Sequence, residues 1–215
     1  MGRPRGTRNA DYEKRRRELA FRIFRCILED ASTSLNAMAE QIGVSRPTLR
    51  HYFGDRDSAI RAALEEAAKI GRPHIESLRL PHTDNPVDGL RQALLRIVSG
   101  WRKFGVINIH HVGLKIGLED DLTGNTYLSQ ILEPTLQAFE GLLKNLQDRG
   151  SLEPHSTRLG AVSLLSPIIL GLLHQDGLGG KELRPMVIED LIELLVQGYC
   201  LQYATPEFRP ELSRP

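Results

Sequence analysis

Apolar residues recur along this chain at the spacing of one helical face. Ala20, Ile23, Phe24 and Ile27 stand at i, i+3, i+4 and i+7. Leu35, Met38, Ala39 and Ile42 repeat that interval, as do Ile60, Ala63, Leu64 and Ala67. Such a period lines up side chains along one side of an α-helix. No convincing run alternates with the period of two that a half-buried strand needs. The pattern predicts an all-α protein.

Caps and breakers divide the pattern into about nine helices. The first covers about Asp11 to Glu29. Thr33 or Ser34 can open the second, because a hydroxyl accepts an orphan N–H at a helix start; it stops at Gly43. Ser45 caps a third helix over about Arg46 to Tyr52, with Pro47 in the first turn, where a missing N–H costs little. The fourth follows Asp55 and runs into the Gly71–Pro73 region. "LPHTDNPVDG" is a linker that delivers Asn85 as cap and Pro86 as first residue of a helix ending near Gly105. A shorter helix follows to about Leu118, and "EDDLTGN" reads as a loop. A long helix is expected from about Asn125 to Arg149, bent at Pro134. Two more cover Thr157–Gln175 and Pro185–Tyr203, around a flexible break at "DGLGGKE". Two domains are expected, residues 1–70 and 71–215.

The net charge of +1 hides an uneven distribution. Residues 1–61 hold 13 Lys/Arg and 8 Asp/Glu, whereas the remainder holds 15 and 19. A basic head on a mildly acidic body implies an anionic partner for the head alone. Cys26 and Cys200 lie in apolar helical patterns, as free thiols buried in a reducing cytosol would. "GRPRGTRNADYEKRRR" offers no apolar run for a secretory signal, so a cytoplasmic location is expected. Leu159–Gln175 carries no charge, but it falls short of the ~20 residues of a membrane span and contains Pro167 and His174. A helix covered on several sides is the expectation there.

The second and third helices, joined by Gly43-Val44-Ser45, make a helix-turn-helix. Leu49 and Phe53 can point inward. Ser45, Arg46, Thr48, Arg50, His51 and Tyr52 then face outward or sideways, with Thr33 and Ser34 at the preceding helix start and Arg56 at the following one. These types suit a duplex. Arginine grips guanine with two donors, and threonine bonds a base or touches a thymine methyl. Tyrosine and histidine reach phosphate oxygens, and Arg56 can add a phosphate contact. A plain helical hairpin with a solvated polar face is the bland alternative.

Ser34–Ile60, "SLNAMAEQIGVSRPTLRHYFGDRDSAI", resembles the DNA-binding domain of TetR/AcrR-type bacterial transcriptional regulators. By that resemblance Thr48, His51, Tyr52 and Arg56 match DNA-contacting positions and Phe53 a core position. The sequence departs at Arg50, where the family often has an aromatic residue, at Gly54, where it often has lysine, and at the bulky Arg46. Ahead of this domain, Gly2-Arg3-Pro4-Arg5 resembles the core of an AT-hook, which would lay Arg3 and Arg5 in a narrow minor groove. Lys14–Arg17 would oppose the dipole of a helix starting at Asp11, which a nearby phosphate backbone would relieve.

The body shows no phosphate loop and no cysteine pair at metal spacing, so no enzyme activity, metal or cofactor is expected. His110 and His111 point about 100° apart in a helix. The resemblance implies a small-molecule pocket, for which Trp101, Phe104, His110, His111 and Leu114 are candidate lining residues; core packing is the alternative for each. The uncharged helix supplies Leu165, Ile169, Leu172 and Leu173, and the last helix Leu191, Leu195 and Tyr199, to a four-helix interface between two copies. A monomer with that helix deeply buried is the alternative. Two recognition helices held about one DNA turn apart read a near-palindromic site. A DNA-binding regulator results, most simply a repressor released by a small molecule. An architectural or cell-division factor of the same fold without an effector is the runner-up.

Overall fold

The structure, a computed structural model, describes residues 5–30 and 32–209, with the side chains of residues 5–9 and of Phe104 outside the description. Among the described residues every regular element is helical, apart from an isolated antiparallel bridge between Leu152 and Ala204. The chain forms two compact units. One takes the residues up to Gly71 together with Val112–Ile131; the other takes Arg72–His111 and the residues from Leu132 on. The second unit is thus interrupted, where the sequence suggested one continuous body from residue 71.

The first unit holds α1 (Arg5–Glu29), α2 (Leu35–Gln41), α3 (Arg46–Phe53), most of α4 (Arg56–Glu76), the end of α6 (Val106–Gly117) and α7 (Asp121–Tyr127). Leu19, Ile23 and Ile27 of α1, Met38 of α2, Leu49 of α3, and Ile60 and Leu64 of α4 are fully buried. Each such side chain contributes about 1.5–3 kcal/mol. α1 begins six residues before the expected Asp11. No proline lies between Pro4 and Pro47, so nothing covalent stops the helix short of Arg5. Lys14–Arg17 therefore sit in the third and fourth turns, beyond the reach of the terminal dipole. The expected electrostatic conflict at that run does not arise.

The stretch expected as a loop, "EDDLTGN", contains α7. Asp120 caps it, its carboxylate accepting the Thr123 N–H at 2.8 Å and facing Arg61 of α4 at 3.4 Å. The Thr123 hydrogen bonds hold the Asp120 carboxyl below the usual range, with help from Arg61. Glycines carry the contact of α7 with α6. A Cβ at Gly117 would lie 2.8 Å from the Cα of Gly124, and the Tyr127 ring covers Gly113.

The second unit is built from α5 (Pro86–Phe104), the start of α6, α8 (Glu133–Asp148), α9 (Thr157–Leu172), the short α10 (Gly180–Leu183) and α11 (Ile188–Tyr203). α8 packs on α9 and on a 3₁₀ turn at Ser77–Arg79; α11 packs on α5 and α9. Leu90, Leu94, Phe139, Leu143, Leu165, Ile168 and Val196 are among the core. Arg91 of α5 grips Glu193 of α11 with Nε at 2.6 Å and Nη2 at 2.8 Å.

The helix expected from Asn125 is divided by a wide turn at Leu128–Leu132, and α8 takes Pro134 in its first turn. Proline has no N–H and clashes with the preceding turn's carbonyl, so a break just ahead of it is the relaxed solution. α4 instead passes Pro73 and stops at Glu76. The stretch Thr157–Gly177 is long and apolar enough to cross a membrane by length and composition alone. Within it, Gly160, Leu164, Leu165, Ile168 and Leu172 are buried in this unit's interior, on a helix carrying Pro167.

Candidate nucleic-acid interface

The α2–turn–α3 segment is set by local bonds. Ser34 Oγ accepts the Ala37 N–H at 3.2 Å and fixes the start of α2. Gly43 takes φ +66°, a left-handed backbone that suits glycine. That turn returns the Val44 N–H to the Ala39 carbonyl at 2.9 Å. The Arg22 guanidinium of α1 donates to the Ile42 carbonyl and closes the same corner. Ser45 Oγ accepts the Thr48 N–H at 3.2 Å, and the two hydroxyls lie 2.8 Å apart. Gly54, at φ +81°, ends α3. The Asp55 carboxylate then accepts the Ser58 N–H at 2.7 Å, which opens α4 and holds that carboxyl below the ordinary range.

On α3, Leu49 and Phe53 are buried while Arg46, Pro47, Arg50 and His51 are exposed. At about 100° per residue those four share one arc of the helix. Among the described residues no carboxylate pairs with Arg46 or Arg50. Thr48 and Tyr52 flank the arc and are half-buried. Thr48 rests on Ser45, and Tyr52 stacks on Tyr12 of α1 with ring centroids 4.8 Å apart. Arg16 lies over the Phe53 ring, 5.3 Å from its centroid. Lys14 and Arg17 are exposed, whereas Arg15 pairs with Glu18 at 3.1 Å.

Several expected contacts have other occupations. Arg56 Nε donates to the Thr33 carbonyl at 3.0 Å and its Nη1 meets Asp57 at 2.9 Å, so this side chain straps the start of α4 to the approach to α2. The Thr33 hydroxyl donates to the Asp30 carbonyl at 2.7 Å. The Ser34 and Ser45 hydroxyls are engaged as caps. Arg3 lies outside the described residues. Arg5 opens α1, so its backbone is helical where an AT-hook would be extended. Tyr12 escaped the sequence reading, although it stands seven residues before Leu19 on the buried stripe of α1.

In the second unit Trp101 and His110 are buried and meet edge-on, with ring centroids 4.7 Å apart. Burial pushes the His110 pKa down to about 4, so its imidazole is neutral at pH 7. His111 is exposed, and Leu114 belongs to the first unit, so the expected lining does not form one set within the second unit. The Phe104 side chain lies outside the description. Among the described residues no three His, Cys, Asp or Glu groups gather as a metal site.

The interface candidates also divide. Leu165, Leu172 and Tyr199 lie in the chain's own core. Ile169, Leu173, Leu191 and Leu195 are half-buried. Leu159, Leu170 and Leu194, absent from the expectation, are 69%, 67% and 70% exposed. With Ser163 and Ser166 on α9 and Gly198 on α11, they lie on the outer faces of two helices packed together, uncharged along α9 and bordered on α11 by Asp190 one turn before Leu194. An apolar-all-round helix carries no period from which to choose its inner side, so the sequence did not separate the leucines of the core from those on the surface.

No family model matches the sequence, and no curated protein matches it. Solved structures do. A TetR-family transcriptional regulator from Mesorhizobium loti superposes with a TM-score of 0.71 at 16% identity, covering 90% of this chain and 98% of that one. SmeT of Stenotrophomonas maltophilia, in its complex with triclosan, gives 0.65 at 18% identity over 93% of this chain and 99% of its own. The flavonoid-responsive regulator FrrA gives 0.62 at 18% over 90% and 99%. The chain has the all-α fold of the TetR-family regulators.

Proposed function

We propose that this chain is a homodimeric, sequence-specific DNA-binding transcriptional regulator of the cytoplasm, and that it represses from a near-palindromic operator until a small molecule releases it. The observation that carries the reading is the exposed arc of α3. Arg46 and Arg50 project beside His51 from a helix capped at its start by Ser45, with no carboxylate against either guanidinium among the described residues. Two unpaired guanidiniums on one short helix repel each other unless an anion lies against them. The major groove offers guanine acceptors to such donors, and its walls offer phosphates.

One such helix buries little surface. The outer faces of α9 and α11 supply the second copy. Paired about a two-fold axis they bury Leu159, Leu170 and Leu194 and set two recognition helices about one DNA turn (~34–36 Å) apart. Small-molecule release draws support from the SmeT–triclosan complex and the flavonoid-responsive FrrA, which share this fold. The aromatic and imidazole character of Trp101 and His110 suits a mostly apolar ligand. A ligand preferring the form with misplaced recognition helices shifts the population off DNA.

The test is selection of duplexes from a random pool by the purified protein, repeated with flavonoids and chlorinated phenols present. A two-fold symmetric consensus, lost with one of these compounds, is the expected result. A protein that enriches no duplex removes the reading.

A further inference from the structure

Tyr12 lies outside the helix-turn-helix, yet three contacts tie it to the end of α3. Its hydroxyl donates to the His51 carbonyl at 3.4 Å. Its ring stacks on Tyr52, with centroids 4.8 Å apart and planes 25° apart. It meets the His51 imidazole edge-on at 5.6 Å, and His51 in turn meets Tyr52 at 5.1 Å. The three rings form one cluster beside the exposed arginines.

Each contact answers a need of α3. The His51 carbonyl is among the last four of that helix, which lack an intrahelical donor. His51 is exposed and Tyr52 half-buried, and no side-chain bond within α3 fixes either ring among its staggered rotamers. The neighbouring Thr48 is already held by Ser45 and Phe53 by burial. Tyr12 comes from α1, whose Leu19, Ile23 and Ile27 are fully buried, so the ring that restrains them is itself firmly based.

We infer that Tyr12 is a positioning residue for DNA recognition. It fixes the Tyr52 phenol and the His51 imidazole in the arrangement that meets phosphate oxygens along the groove wall, while Arg46 and Arg50 face the base edges. The inference rests on the DNA-binding reading and adds to it a residue from outside the motif. Phosphate donors place a recognition helix without reading sequence. Loss of their order should therefore weaken binding evenly across operator variants.

The experiment measures the affinity of full-length protein for its selected duplex over a range of salt concentrations. Tyr12→Ala, Tyr12→Leu, Tyr12→Phe, Tyr52→Ala and the double variant Tyr12→Ala/Tyr52→Ala are compared with wild type. Tyr12→Ala and Tyr12→Leu are expected to bind about five- to twentyfold more weakly, with the slope of log K against log salt nearly unchanged, because a neutral phenol bonds phosphate without releasing a counterion. Tyr12→Phe, which keeps the stack, is expected to lose about twofold. In the Tyr52→Ala background the added Tyr12→Ala change should cost less than about half the factor it costs alone, since one of the two groups it positions is gone. Tyr12→Leu fills the space without a stacking ring, and decides the matter if Tyr12→Ala melts below the assay temperature. Wild-type affinity in Tyr12→Leu would overturn the inference while leaving DNA binding intact. So would full additivity with Tyr52→Ala, which would make Tyr12 a DNA contact on its own account. A wild-type protein that enriches no duplex would end both readings together.

Discussion

Helices α3 and α9 expose opposite chemistries. α3 hides Leu49 and Phe53 and shows solvent Arg46, Arg50 and His51. α9 hides Leu164, Leu165, Ile168 and Leu172 and still shows Leu159 and Leu170, with serines between them. The buried side of each helix answers to its own unit. On the proposed reading the exposed side meets what comes from outside: a polyanion for the guanidiniums, another apolar stripe for the leucines. Neither outer face is explained by the folding of a single chain.

Charge placed on the apolar stripe should break this contrast most severely. Leu170→Glu with Leu194→Glu would bury repelling carboxylates about a two-fold axis, and is expected to weaken association at least about a hundredfold, since several kcal/mol attach to unpaired buried charge. Sedimentation would show one chain instead of two, and DNA affinity would fall with it. A wild-type protein that already sediments as one chain would refute the interface.

The opposite change on α3 should be somewhat smaller. Arg50→Ala is expected to lower operator affinity by roughly ten- to a hundredfold, the range of one good base contact. An unchanged binding isotherm would move recognition elsewhere. Within the first unit, Gly117→Val tests the α6–α7 contact. Its Cβ would strike the Gly124 backbone, and thermal melting should fall by about 1–3 kcal/mol of stability.

The smallest effect is in acid. Hydrogen bonds from Ser58 hold the folded Asp55 carboxyl below its unfolded value. Its stabilisation is therefore complete at neutral pH and fades as pH drops below about 4. Asp55→Ala should lower the melting temperature at pH 7, leave it nearly unchanged at pH 2, and so flatten the acid limb of the profile.

What could be read from the sequence alone follows the range of the forces involved. α2 and α3 were legible because single local bonds mark their limits: Ser34 to Ala37, Gly43 at the turn, Ser45 to Thr48. α7 was not, since Gly124 looks like a loop residue until Gly117 of α6 comes up against it, as Gly113 does against the Tyr127 ring. The bond from Arg56 to the Thr33 carbonyl was not legible because the two residues are 23 apart in sequence. Tyr12 drew no reading because its partners lie on another helix. The inner side of α9 was unreadable for a different reason: leucine and isoleucine occur all round it, and only the packing of α8 and α11 selects among them.

The Arg56 strap has a consequence for anyone wishing to retarget such a molecule. The bonds that keep α2, α3 and α4 in register run through Thr33, Ser34, Ser45 and Arg56, none of which lies on the outward arc. Positions 46, 47, 50 and 51 can be randomised as a library while the frame beneath them keeps its shape, so new duplex preferences become selectable without first repairing the scaffold.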